Sequence, residues 1–185
     1  MSGETRQLGF SSARMVASVT AELGKVMDKR SDEMLVTRIG SYQAAVDTVL
    51  TDGVAAGAKV SASASIALTS GTDSLSVEIS TRATPPVYGR STSQGDIQIE
   101  FSVGTVTVLD ISIDAQGQYS VDLVRVSDGM GIYSIARGSP GAKSSDTASV
   151  SLDSGSYKLQ ASGMPFDASA GVRLDGALKI GAKIE

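Results

Sequence analysis

The sequence predicts a mainly β protein: an antiparallel β-sandwich, jelly-roll-like and of eight or nine strands, preceded by an N-terminal α-helical hairpin. Three observations carry this. Across residues 171–184, Val172, Leu174, Leu178, Ile180, Ala182 and Ile184 hold one parity while Arg173, Asp175, Lys179 and Lys183 hold the other. That is the period of a strand with one face buried and one wet. Beyond residue 57, short apolar alternations recur with turn residues between them, as sandwiches and barrels require. Between residues 11 and 52 the apolar spacing is instead that of a helix.

Taken in order, residues 1–10 read as an arm. Val16, Val19, Leu23 and Val26 follow at helical spacing, flanked by Met15 and Met27, with Ser11 or Ser12 as N-cap and Lys29-Arg30 at the C-terminus. Ser31-Asp32-Glu33 opens a second helix carrying Leu35, Ile39, Tyr42, Val46 and Val49, which Gly53 ends. The period switches to two at 53–57. Val60 to Leu68 alternate with Ser and Lys, 70–73 turn, and Leu75, Val77 and Ile79 return. Residues 82–96 carry no apolar periodicity and read as a long loop. Ile97, Ile99, Phe101 and Val103 form the next strand. Parity slips at Leu109 and again at Val124, marking bulges or strands that bend between sheets. Residues 138–147 read as a second loop, and Val150 to Ala161 as a hairpin turning at Asp153-Ser154-Gly155. The long, unbroken parity of 171–184 predicts a central strand. The domain division is 1–55, arm and helices, and 56–185, sandwich.

Composition narrows function. The 185 residues are 41% hydrophobic, enough for a core. A net charge of −4 excludes nucleic acid, whose phosphates need a basic face. No apolar run is long enough for a membrane span, and the N-terminus lacks the regions of a signal peptide. The absence of His and Cys removes the commonest general base, zinc ligand and thiol nucleophile. Ser144 and Ser145 beside Lys143 have no motif to support a Ser-Lys dyad. Glu78 and Glu100 fall on outward parity, with Glu185 at the terminus, so no acid pair is set up for glycoside hydrolysis.

Asp residues recur at turns, where they cap their own backbone. Calcium is the alternative cofactor there, though no segment has dense D-x-D-x-D spacing. Sugar platforms need exposed rings. There is no Trp, and Tyr119, Tyr157 and Phe101 fall on core parity. Tyr88 and Tyr133 remain as the candidate ligand-binding residues, with polysaccharide as the ligand class.

The segment Ser151-Leu152-Asp153-Ser154-Gly155-Ser156-Tyr157-Lys158-Leu159-Gln160-Ala161-Ser162 resembles a penultimate hairpin of secreted bacterial β-sandwich domains of the PEP-CTERM and choice-of-anchor type. The Ser-Ala alternation at 61–65 and the long last strand accord with it, so the likeness spans 58–185. The Pro-Glu-Pro sorting tail of that group is missing. The resemblance implies an exported surface or matrix protein without catalysis. The expected function is a non-enzymatic, self-associating structural protein, extracellular or at the cell surface, or else in a virion. A polysaccharide-binding module is the alternative.

Overall fold

The structure, a computed structural model, describes residues 7–51, 59–85, 89–139, 142–164 and 174–184. In chain order its strands are β1 (Leu8–Leu23), β2 (Val26–Val36), β3 (Gly40–Thr51), β4 (Lys59–Ser70), β5 (Ser74–Thr84) and β6 (Gly89–Val103). Then come β7 (Thr107–Gln116), β8 (Gln118–Arg125), β9 (Gly131–Arg137), β10 (Lys143–Leu152), β11 (Gly155–Met164) and β12 (Leu174–Ile184). They build two antiparallel sheets of six, ordered β2-β1-β6-β11-β8-β9 and β10-β7-β12-β5-β4-β3. The β-sandwich stands. The helical hairpin does not, and the described strands number twelve. Nor is the order jelly-roll-like: β1–β2, β3–β4, β4–β5 and β8–β9 pair as consecutive strands.

Residues 11–52 are strands because alanine carries the buried face. Along β1, Ala13, Met15, Ala17, Val19 and Ala21 are buried, while Arg14, Val16, Ser18, Thr20 and Glu22 lie on the opposite face. Counting only large aliphatics skips the three alanines and turns a period of two into an apparent 3-4-3. The β-branched Val16, Val19, Thr20 and Val26 favour the extended backbone. Gly24, which weakens a helix, turns the β1–β2 hairpin at φ 61° in a two-residue loop. Of the second proposed helical stripe, Leu35, Ile39 and Val49 are exposed, at 70%, 50% and 46%. A helix would have buried them. Strands β1 and β2 belong to one sheet and β3 to the other.

The same masking hid the start of β6. Ser91, Ser93 and Gly95 point inward in alternation with Thr92, Gln94 and Asp96, so the expected loop at 82–96 is strand at 82–84, the end of β5, and again from Gly89 onward. Similarly, β10 begins at Lys143 within the expected 138–147 loop.

Seven connections cross between the sheets. The expected parity slip at Leu109 is absent, since inward residues stay odd-numbered from Val103 through Thr107 and Leu109, but Gly104–Val106 do carry the chain from β6 across to β7. The slip at Val124 is a register shift between β8 and β9. Residues 150–161 form another crossing and not a hairpin, since β10 pairs with β7 whereas β11 pairs with β6 and β8. The segment's tyrosine has a structural task there. Tyr157, buried, donates its hydroxyl hydrogen to the Asp153 carbonyl at 2.8 Å and stacks on Phe101 with ring centroids 5.9 Å apart. Leu152 is buried beneath the same corner. β12 is central, between β5 and β7, with Leu178, Ile180, Ala182 and Ile184 inward and Lys179 and Lys183 exposed.

Candidate functional site

An open sandwich has four edge strands, and each offers unpaired backbone groups to another chain unless something blocks it. Here the strand orders set β2 against β3 on one flank and β9 near β10 on the other. The two flanks are built differently.

On the β2–β3 flank, side chains of β2 reach the edge of β3. Asp28 and Asp32 turn inward from β2 toward the edge of the other sheet. The Ala45 backbone N–H donates to Asp32 Oδ2 at 3.0 Å, and the Thr48 hydroxyl donates to Asp28 Oδ2. Arg30 pairs with Asp28 at 2.9 Å and reaches the Asp47 carbonyl at 3.4 Å. Inward carboxylates and a dense run of charge on β2 are the devices that keep an edge from recruiting a partner.

The β9–β10 flank carries a polar cluster drawn from three strands. Tyr119 of β8 is 3% exposed. It donates to Asp146 Oδ2 on β10 at 2.9 Å and accepts from Ser144 at 3.3 Å. Arg137, at the end of β9, lies 3.3 Å from the other Asp146 oxygen. Tyr133 is half-buried and packs against the core margin, as do Ile132, Ile135 and Val150. These bonds hold the two sheets together and use the side chains that face inward. They leave the outer edge of β10 untouched. Among the described residues β10 pairs with β7 only, in an unbroken register with no bulge and no proline. Its charges are Lys143 at one end and Asp146, which is turned inward and paired.

Tyr133 therefore joins Tyr119, Ser144, Asp146 and Arg137, while Tyr88 lies outside the described residues. Sequence reasoning missed Asp146 and Arg137 because the cluster joins both sheets. The one local signal is the β8–β9 register, which sets Tyr119 opposite Arg137. Ser144 lies on the opposite face of β10 from Lys143 and donates to Tyr119, whereas Ser145 shares the exposed face with Lys143. On the outer faces Glu78 pairs with Lys179 at 2.8 Å and Glu100 with Lys158 at 3.8 Å. Asp128 accepts from the Met130 N–H at 3.1 Å, the backbone capping expected of a turn aspartate.

The flanks titrate in opposite directions. The Thr48 hydrogen bond holds the Asp28 carboxyl below its ordinary range against partial desolvation, with Arg30 helping. Arg14 does the same for Glu33 through a hydrogen bond and its charge. Lowered folded values mean that their stabilisation is present above about pH 4 and lost as pH falls below it. Burial first, then the nearby Asp146, pushes the Tyr119 and Tyr133 hydroxyls up, against an opposing effect of Ser144 on Tyr119 and of Arg137 on both. Raised values mean stabilisation that is complete below about pH 10 and lost as pH rises past it. Melting temperatures across pH should fall at both ends. Thr48→Val is expected to soften the acid fall and Tyr119→Phe the alkaline one; unchanged limbs in both variants would contradict these assignments.

Compared with protein-family models and with curated proteins, the sequence matches none.

Proposed function

We propose that this is a non-enzymatic structural protein that self-associates, as a component of a surface or extracellular matrix or of a virion. The observation that carries the reading is the difference between the flanks. On one flank Arg30 and Asp32 of β2 bond backbone groups of the β3 edge, whereas β10 presents ten residues of unbulged, nearly uncharged edge. An open edge of that length is a template for strand addition. The carboxylates support it too: Asp28, Glu33, Glu78, Asp110, Asp122 and Asp146 are each engaged by a neighbouring side chain. Residues 151–162 cross between the sheets and do not form the hairpin on which the likeness was drawn, so they favour neither the exported setting nor the virion. Sugar stacking on Tyr133 is disfavoured, because its ring sits at the core margin.

Sedimentation velocity tests the reading. Strand addition alone buries less than a standard interface, so association is expected to be weak, with Kd on the order of 100 μM. The weight-average sedimentation coefficient should rise with concentration across that range. A strictly monomeric chain well above it would overturn the proposal.

A further inference from the structure

Resting on that reading, the geometry points to a specific partner and register: we propose that a second copy of this chain adds antiparallel to β10, with Ala148 on the two-fold axis. Cα partners in an antiparallel pair share a face, so a strand pairing with its own copy must centre on a residue. Along β10, odd-numbered residues face outward and even-numbered ones inward. An axis through Asp146 would set two carboxylates against each other. One through Thr147 leaves Lys143 opposite the partner's Ser151. An axis through Ser149 moves Lys143 past the partner's Asp153. With the axis through Ala148, Lys143 faces the partner's Asp153, and symmetry repeats that ion pair at the other end.

The same register sets Ser145 opposite the partner's Ser151 and Thr147 opposite the partner's Ser149, all small hydroxyl side chains on the wet face. It uses the whole of Lys143–Leu152. Asp153 stands one residue past the end of β10, where the partner's Lys143 would compete with Arg125 for it. Lys143 is exposed, and the Asp153 side chain is 73% exposed and pairs with Arg125 at 4.0 Å. β9 is the poorer edge, being seven residues long with a register shift against β8. The outcome is two six-stranded sheets joined edge to edge.

The chain has no Cys, so introduced thiols report single positions. Antiparallel partners stand about 4.5–5.5 Å apart at Cα, within the span of a disulfide. Ala148→Cys should therefore give a covalent dimer under mild oxidation. Ser145→Cys alone should not, since its own counterpart lies about 20 Å along the strand. A mixture of Ser145→Cys and Ser151→Cys chains should cross-link, and both sites are exposed, which covers failure of Ala148→Cys to fold. Lys143→Asp or Asp153→Lys should weaken dimerisation about 10-fold, and the double exchange should restore it to within about 3-fold. If the chain self-associates but these cross-links fail and the charge changes add without rescue, the β10 pairing is overturned and self-association stands. If the chain is monomeric at all concentrations, both fall.

Discussion

Replacing Phe101 by Ala is expected to destabilise the protein by about 3–5 kcal/mol, the range for deleting a buried aromatic ring and leaving a cavity. Phe101 is 1% exposed on β6, beside Phe10 of β1 and Tyr157 of β11 in the sheet register. Its ring stacks on Tyr157 at an interplanar angle of 26°. The loss therefore reaches beyond the cavity, because Tyr157 also fastens the β10–β11 corner through the Asp153 carbonyl. Phe101→Leu, which retains most of the volume, should cost less than about 1.5 kcal/mol. Urea unfolding followed by near-ultraviolet circular dichroism measures both. A cost below about 1 kcal/mol for Phe101→Ala would show that the core is not centred on this pair.

Gly138→Ala is expected to cost about 3 kcal/mol, a large effect for a single added methyl at the surface. Gly138 follows β9 with φ 138°, a conformation that side chains rarely adopt. A Cβ there would stand 2.2 Å from the Gly117 carbonyl oxygen and 2.5 Å from the Gln118 Cα. Those atoms are backbone, so no rotamer change relieves the clash. They also form the corner where β7 passes into β8, which is tied to Ala142 by the Gly117 N–H. Strain at this corner should loosen the β9–β10 flank first, and the alkaline fall attributed to Tyr119 should begin at lower pH in the variant. Stability within about 1 kcal/mol of the parent protein would contradict the close approach of these segments.

What the sequence showed, and what it concealed, follows from which residues line the inner faces. β12 was legible because Leu178, Ile180 and Ile184 are large and Lys179 and Lys183 charged, so the two faces contrast sharply. β1 and the first half of β6 were not, because Ala13, Ala17, Ala21, Ser91, Ser93 and Gly95 fill the inner face. Small residues bury as well as large ones where sheets lie close, yet they add little to an apolar period. The leucine, glycine and tyrosine of 152–157 were recognisable as a unit, but their purpose, a sheet crossing fastened by a tyrosine hydroxyl, needed the pairing partners. The edge asymmetry was legible in part. Charge on 28–33 and its scarcity on 144–152 are plain in the sequence. That Asp32 faces the edge of β3, and that Asp146 turns inward to Tyr119 and Arg137, depend on strands far apart in the chain.

These flanks make the central claim measurable without any substitution. Hydrogen exchange can be followed segment by segment at low and high protein concentration. Protection of Lys143–Leu152 is expected to rise with concentration, while that of Val26–Val36 and Gly40–Thr51, whose flank is bridged by Asp28, Arg30 and Asp32, stays constant. Concentration-dependent protection confined to β2 and β3, or none in any segment, would contradict it.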